Sequence, residues 1–133
     1  MDYFLTVWSV IVFVENRLRG EIRTAELERA TGFSLAHIRS VFAAHVGMPL
    51  NRYICSRRIA NAAFELINTQ KSILEIALAY RFTNPDTFTK AFKRVTGFTP
   101  QAFRLSRRPV GRIKLCAGVY GVGILSQKAE DCL

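Results

Sequence analysis

The chain contains the same pattern of residues twice. The first copy is FSLAHIRSVFAAHVGMPL, residues 33–50, and the second is FTNPDTFTKAFKRVTGFTP, residues 82–100. Four pairs of positions match at an offset of 50: Phe42 with Phe92, Gly47 with Gly97, Leu50 with Pro100, and Tyr53 with Phe103. Upstream, Phe33 matches Phe82 at an offset of 49, so the second copy has one extra residue in its turn. Such a repeat predicts two similar structural units within one chain.

Each copy has the spacing of an amphipathic helix. Side chains suited to packing recur at i, i+3, i+4 and i+7 in both copies: Ile38, Val41, Phe42 and His45, then Phe88, Ala91, Phe92 and Val95. A shorter helix and a turn, near Gly32 or Arg81, precede each of them. This is the helix-turn-helix plan, in which the second helix is free to enter a DNA major groove. One such pattern is a weak signal, whereas two at a regular offset are much stronger.

We expect an all-α fold of seven helices, because no segment before Arg112 alternates with a period of two residues. The bounds of these helices are predicted from capping residues, from proline at a first helical position and from glycine at a helix end. The first helix is expected at about 2–18 with a stop at Gly20, the second is AELERA after an N-cap at Thr24 and ends at Gly32, and the third is 35–46 after Ser34. The fourth is expected at 50–68, and the fifth is ILEIALAY after Ser72. The sixth begins at Pro85 after Asn84 and ends at Gly97, and the seventh is PQAFR from Pro100.

The same spacing predicts which helix faces are buried. The expected inward residues are Leu5, Trp8, Ile11 and Val12 in the first helix, and Tyr53, Ala60, Ala63, Phe64 and Ile67 in the fourth. The segment ILEIALAY is almost entirely apolar, so we expect it to be well buried.

The repeat predicts the domain organisation: a helix-turn-helix subdomain at 1–48, a linker helix at 49–70, a second such subdomain at 71–108, and a tail at 109–133. A helix of about nineteen residues is roughly 28 Å long. With the flanking units, it would set the two reading helices about 34 Å apart, one turn of B-DNA. Because the copies differ, the target should be asymmetric, and no dimer is needed. For the glycine-rich tail, an extension and a remnant of a ligand domain both stay open.

Charge points to a polyanionic partner. The formal net charge is +9 and the pI is near 10.1. Residues 36–114 hold fourteen basic and three acidic side chains, whereas the segments on either side are each slightly acidic. Such concentration favours nucleic acid first and an anionic membrane surface second. The alternative is a basic surface with no partner.

Several classes of protein fit poorly. The apolar run YFLTVWSVIVFV is too short to span a bilayer and lacks the flanks of a signal peptide, so we expect a cytoplasmic protein without a membrane partner. Cys55, Cys116 and Cys132 are widely spaced, which makes a zinc site or a disulfide framework improbable. No glycine-rich phosphate loop, GxSxG, HExxH or acid pair occurs. We therefore expect no metal, no cofactor and no enzymatic activity.

Residues 4–105 resemble the DNA-binding domain of AraC/XylS-type transcription regulators. The resemblance is carried by ATGFSLAHIRSVFAAHVG, YICSRRIANAAFELI and ILEIALAYRFTNPDTFTKAFKRVTGFTPQAFR, and the segment 82–104 is its most specific part. It implies a bacterial transcription factor, usually an activator, that binds double-stranded DNA as a monomer, with RNA polymerase as a further candidate partner. The short length resembles stand-alone members such as the multiple-antibiotic-resistance activators.

The resemblance also implies base-reading positions. These are Leu35, Ala36, Arg39 and Ser40 on the first reading helix, and Pro85, Asp86, Thr87 and Lys90 on the second. Leu35 and Ala36 replace a lysine and a tryptophan of the antibiotic-resistance activators, and Pro85 and Asp86 replace two glutamines. The target sequence of that subgroup therefore does not transfer to this chain.

Physical roles can be assigned to these positions, each with an alternative. Arg39 can fork onto guanine O6 and N7, or else contact phosphate or solvent. Leu35 and Ala36 suit thymine methyl groups, and Ser40 suits a base or a phosphate. Asp86 would repel phosphate unless it accepts from a cytosine amino group, and the alternative is that it only favours the positive end of its helix.

The candidates for backbone contact are basic side chains and helix starts. They are Thr24, Ser34, His37, Arg57, Arg58, Ser72, Asn84, Lys93, Arg94, Arg104, Arg107 and Arg108. Any basic member could be merely solvated, and for Arg57, which shares a stripe with Tyr53 and Ala60, a structural ion pair is a serious alternative. His37 and His45 suit packing or capping.

The rival function is binding to RNA or to an anionic membrane surface through the same basic face. Recognition of RNA normally uses exposed aromatic side chains for stacking on bases. Nearly all aromatic residues here fall on stripes expected to face inward, which favours duplex DNA.

Overall fold

The computed structural model describes residues 3–106, 116–117 and 123–124. Every regular element from residue 3 to 106 is a helix, which confirms the predicted all-α class. The helices are α1 (Phe4–Glu15), α2 (Thr24–Thr31), α3 (Leu35–Val46), α4 (Leu50–Asn68), α5 (Ile73–Ala79), α6 (Pro85–Thr96) and α7 (Pro100–Ser106). Two strands of two residues each, β1 (Cys116–Ala117) and β2 (Gly123–Ile124), pair antiparallel with Cys116 opposite Ile124. No helix among the described residues is long and apolar enough to cross a membrane.

The chain divides into two units, Met1–Ile54 and Cys55–Leu133. In the first unit, α1, α2 and α3 pack on one another around a core formed by Val7, Val10, Ile11, Val14, Leu27, Ile38, Val41 and Phe42. The ring of Tyr53, in the first turn of α4, meets Phe42 edge-on at 5.2 Å between centroids. Its hydroxyl donates to Oε2 of Glu15 at 3.3 Å, so this large residue is buried with its polar atom satisfied.

The core of the second unit is built on aromatic rings. Phe82, Phe88, Phe92 and Phe103 form a chain with centroid separations of 5.2, 5.7 and 5.4 Å. Aliphatic residues of α4 and α5 close the core around them: Ile59, Ala62, Ala63, Leu66, Ile76 and Ala77. The inward face of α6 is therefore held on three sides, which positions its opposite face.

Helix ends agree with the predicted capping residues in three places. Ser34 accepts from the His37 N–H, and Asn84 accepts from the Asp86 N–H at 2.7 Å ahead of Pro85 at the first helical position. Ser72 and Glu75 form a reciprocal capping box at the start of α5. Thr24 is not an N-cap as predicted, because it is already the first residue of α2 and Arg23 precedes the helix without a side-chain cap.

The first helix departs from its predicted bounds and face. The chain leaves the helix at Asn16 rather than Leu18, and the Arg17 N–H donates to the Val14 carbonyl in a closing turn; the predicted start at Asp2 lies outside the described residues. Of the four residues expected inward, Ile11 is buried, but Leu5, Trp8 and Val12 are 68%, 41% and 41% exposed. A helix that is apolar nearly all round does not reveal by spacing which side faces the core.

Three other burial predictions are wrong. Phe64 is 54% exposed on α4, although Ala60 and Ala63 beside it are buried. Leu74 and Leu78 are exposed because α5 has only seven residues and turns Ile76 and Ala77 inward. His45 is exposed at the end of the α3 stripe, where its Nδ1 lies 3.0 Å from the Val41 carbonyl oxygen.

The capping box of α5 gives a first prediction. We expect Ser72→Ala to lower the free energy of unfolding by about 1 kcal/mol, because the Glu75 N–H loses its acceptor at the start of a short helix. Thermal or chemical denaturation followed by circular dichroism measures the change. Ser40→Ala is the matched control, since Ser40 is exposed and its hydroxyl has no partner among the described residues. An equal loss in both variants would contradict a capping role.

Candidate nucleic-acid interface

The first set of predicted base-reading residues lies on the outward face of α3. Ala36, Arg39 and Ser40 are exposed and Leu35 is partly buried. The other side of the helix is buried in the core of the first unit through Ile38, Val41 and Phe42. The Arg39 guanidinium makes no hydrogen bond or ion pair with any described residue. Arg39 and Ser40 also line a shallow groove with Ala43, Pro49, Leu50 and Asn51.

The start of α3 is tied to the preceding helix by Glu28. Its Oε2 accepts the Leu35 N–H at 2.7 Å, which joins α2 to the first turn of the reading helix. A carboxylate at this end of a helix also lies at the positive end of the helix dipole. Helical spacing in the sequence does not reveal this positioning role of Glu28. Its signal is an acidic residue seven positions before the start of the next helix.

The second set of predicted base-reading residues lies on the outward face of α6. Pro85, Asp86, Thr87 and Lys90 are all exposed, whereas Phe88, Ala91, Phe92 and Val95 are buried. Lys90 has no hydrogen-bond or ion-pair partner among the described residues. Asp86 lies in the first turn, with its backbone N–H bound to Asn84 Oδ1. Each set of four candidates is therefore gathered on one face of one helix.

Both histidine rings contact the ring of Tyr3. The His37 ring lies 4.7 Å from the Phe33 ring and 5.4 Å from that of Tyr3, between centroids, and its Nε2 is buried without a partner among the described residues. The His45 ring meets Tyr3 edge-on at 6.1 Å.

The backbone-contact candidates differ in exposure. Thr24, Ser34, Ser72, Asn84, Lys93 and Arg94 are exposed, and His37, Arg57, Arg58 and Arg104 are partly buried. Arg104 is already engaged, since its Nε donates to the Leu66 carbonyl at 2.9 Å and its Nη2 to that of Thr69 at 3.4 Å. These bonds satisfy carbonyls at the end of α4, a structural role. Arg107 and Arg108 lie outside the described residues.

Arg58 is in an unusual electrostatic setting. Partial burial lowers the pKa of its guanidinium, and the nearby positive charge of Arg81 lowers the pKa further, while Cys55 acts in the opposite direction. The Arg94 guanidinium also lies near Cys55, with Nη2 3.7 Å from Sγ. Positive charge thus accumulates where α4 meets the turn before α6.

Similarity to known proteins agrees with this geometry. Residues 27–106 match a family described as a helix-turn-helix domain. The chain is 37% identical over 98 residues to the HTH-type transcriptional activator AarP of Providencia stuartii, covering 74% of this chain and 73% of that protein. It is 34% identical over 102 residues to the F1 operon positive regulatory protein of Yersinia pestis, covering 76% of this chain and only 34% of that protein.

Two solved structures share the fold. An AraC-type transcriptional regulator from Chromobacterium violaceum superposes with a TM-score of 0.73 at 22% identity, covering 77% of this chain and 92% of that one. The DNA-binding domain of AdpA, solved with a target DNA, gives a TM-score of 0.69 at 21% identity, covering 77% and 93%. Together with the matched family, these likenesses confirm the resemblance read from the sequence: the chain belongs to the AraC/XylS-type family of helix-turn-helix transcription regulators.

Proposed function

We propose that the chain activates transcription by placing α3 and α6 in successive major grooves of an asymmetric duplex site. The observation that carries the proposal is that each helix is anchored by one buried face and presents an exposed face of candidate readers. The named activities of AarP and the F1 operon protein support activation, and the DNA complex of AdpA supports duplex binding. The functional parts we propose are 1–48 and 71–108, joined by 49–70.

The two reading helices have unequal tasks. On α3, Arg39 forks onto a guanine, Leu35 and Ala36 contact thymine methyl groups, and Ser40 contacts a base or a phosphate. On α6, Thr87 and Lys90 are the candidate readers, while Asp86 and Pro85 mainly establish the start of the helix. The first unit therefore supplies most of the sequence preference, and the second mainly holds the backbone.

Exposed aromatic rings would favour RNA, but they are absent from both reading faces. The aromatic residues of α3 and α6 are Phe42, Phe88 and Phe92, and each has no exposed surface. Exposed aromatic side chains do occur on α1 and α4, as Phe4, Trp8 and Phe64. Stacking of unpaired bases on Phe, Tyr or Trp rings is thus not available to α3 or α6, which supports duplex DNA as the partner.

The protein acts as a monomer on DNA, in the cytoplasm, and contacts RNA polymerase once bound. Two unequal readers in one chain do not require the two-fold symmetry of a dimer and its palindromic site. No catalytic step is part of this function.

Selection of bound sequences from a random duplex pool tests the proposal: an enriched asymmetric site with two clusters of preferred bases about one helical turn apart is the expected result. Gel shifts with duplex DNA, single-stranded RNA and anionic vesicles decide between the rival partners.

Arg39 gives the sharpest test of base reading. We expect Arg39→Ala to weaken binding to the selected site by roughly 1–3 kcal/mol and to relax the preference at one base position, because a bidentate contact to guanine is lost. Titrations of the selected site and of variants at each position measure the change.

The matched control for Arg39→Ala is Arg29→Ala, which removes another exposed arginine of the first unit, on α2 rather than α3. Arg29→Ala should leave the base preference unchanged. If Arg39→Ala weakens all sequences equally, Arg39 is a phosphate contact.

A further inference from the structure

A shallow groove borders the outward face of α3 and belongs entirely to the first unit. Its volume of about 390 Å³ lies at the lower end of the range of roughly 300–1,000 Å³ for small-molecule sites. The lining residues come from α3 and from the chain around the start of α4: Arg39, Ser40, Ala43, Pro49, Leu50 and Asn51. Because Arg39 and Ser40 are also candidate readers, whatever occupies the groove lies beside the bases that we propose α3 reads.

The wall formed by Pro49 and Leu50 is held in place by the turn after α3. Gly47 has a φ of 87°, in the left-handed region that suits glycine, and its N–H donates to the Ala43 carbonyl at 3.0 Å. After this turn Leu50 is 4% exposed, and the Pro49 carbonyl accepts the Tyr53 N–H at 3.0 Å. The groove is therefore built by the folded backbone and a buried side chain.

The groove combines an apolar wall with one polar group. The side chains of Ala43, Pro49 and Leu50 contain only carbon and hydrogen, and the carbonyls of Ala43 and Pro49 already accept the two bonds just described. Asn51 is exposed, and its side-chain amide makes no hydrogen bond with any described residue. An unused donor beside an apolar wall suits a molecule that has a carbon ring next to a hydrogen-bond acceptor.

The charge around the groove favours an anion over a neutral molecule. Among the described residues that line it, Arg39 alone has an ionisable side chain. The carboxylates of Glu15 and Glu28 in the same unit are engaged elsewhere, with the Tyr53 hydroxyl and the Leu35 N–H. A sugar–phosphate unit of DNA has both of the required parts, and asparagine is among the side chains that commonly bind phosphate oxygens.

We propose that this groove binds one sugar–phosphate unit of the DNA strand beside the bases that α3 reads. The deoxyribose carbons pack on Ala43, Pro49 and Leu50, and the phosphate accepts a hydrogen bond from the side-chain amide of Asn51. The inference rests on the proposed duplex binding. It adds Asn51 to the DNA contacts as a residue that positions α3 without a sequence preference of its own.

Asn51→Ala should weaken duplex binding about tenfold, equally for the selected site and for random sequences, because a hydrogen bond to a charged oxygen is lost. The slope of log affinity against log salt should not change, since asparagine neutralises no phosphate. Fluorescence anisotropy with labelled duplexes over a salt series measures both quantities. Asn61→Ala is the matched control: it makes the same change on α4 outside the groove and should leave the affinity unchanged.

Single methylphosphonate substitutions, scanned through both strands of the selected site, locate the phosphate. Each replaces a charged oxygen by a neutral methyl group. At one position beside the bases read by α3, the substitution should weaken binding by the unmodified chain about tenfold. The same substitution should leave binding by Asn51→Ala nearly unchanged, because that variant has already lost the contact. At every other phosphate the two proteins should lose equal affinity.

Filling the groove tests the contact with the sugar. Ala43→Leu enlarges the side chain on the apolar wall and should weaken duplex binding severalfold by excluding the deoxyribose. Ala44→Leu is the matched control, because it makes the same change at an exposed neighbour that does not line the groove. Equal affinities of the two variants would contradict a sugar in the groove.

Two further outcomes would overturn the inference while leaving the proposed function intact. One is a changed base preference in Asn51→Ala, which would mean that the groove reads a base edge. The other is an equal methylphosphonate loss in the unmodified chain and in Asn51→Ala at every position. Absence of duplex binding by the unmodified chain would instead overturn the proposed function.

Discussion

Replacing Phe92 by alanine is expected to lower the free energy of unfolding by about 3–5 kcal/mol. The Phe92 side chain has no exposed surface, and its ring contacts those of Phe88 and Phe103, so truncation leaves a cavity between α6 and α7. Whole domains are stable by only about 5–15 kcal/mol. The variant should therefore be near the limit of folding at physiological temperature. Urea denaturation followed by circular dichroism measures the loss.

Phe64→Ala is the matched control, because it makes the same chemical change on α4 at a side chain that is 54% exposed. We expect a loss below about 1 kcal/mol there. Similar losses in the two variants would mean that the aromatic chain around Phe92 does not hold the second unit together. A loss of duplex binding by Phe92→Ala in parallel with its unfolding would connect this core to the presentation of α6.

The affinity for duplex DNA should fall steeply with salt. Six or more phosphate contacts give a log–log slope of about −5 or steeper, which corresponds to roughly a thousandfold loss between 50 and 200 mM salt. The physical reason is the release of counterions from the duplex when lysine and arginine neutralise phosphates. Exposed cations on α6, Lys93 and Arg94, are among the groups we expect to contribute. Fluorescence anisotropy with a labelled duplex, repeated over a salt series, gives the slope.

A paired variant checks which cations matter. Lys93→Gln combined with Arg94→Gln should make the slope shallower by about 2. Arg23→Gln removes an exposed cation that already lies 3.4 Å from Glu21 and precedes α2, so it should leave the slope unchanged. A flat salt response of the unmodified chain would show that phosphate neutralisation does not drive binding.

The sequence was sufficient to predict the helices that have one polar side and one apolar side. For α6, polar and apolar residues alternate with helical spacing between an asparagine–proline start and a glycine end, so both its bounds and its buried face were predicted. The same holds for α3, apart from His45. The repeat at an offset of 50 predicted two similar units, and the resemblance to the family implied a group of candidate readers on one helix of each.

The failures have physical causes. Leu5, Trp8 and Val12 were assigned to the wrong side because α1 is apolar on every side, and only packing against α2 and α3 selects its inward face. The role of Glu28 depends on a contact between segments, and the positive φ of Arg81 is a backbone dihedral angle. Neither quantity has a period, so spacing along the chain does not reveal it.

The starts of the two reading helices have one more property in common. In α3 the Leu35 amide is bound by Glu28 and the His37 amide by Ser34, while in α6 Pro85 has no amide hydrogen and the Asp86 amide is bound by Asn84. Among the described residues this leaves the amides of Ala36 and Thr87 as the first uncommitted donors. A donor that belongs to the main chain survives every substitution except proline. Exchange of the side chain at Ala36 or Thr87 therefore leaves this main-chain donor in place at the start of each helix.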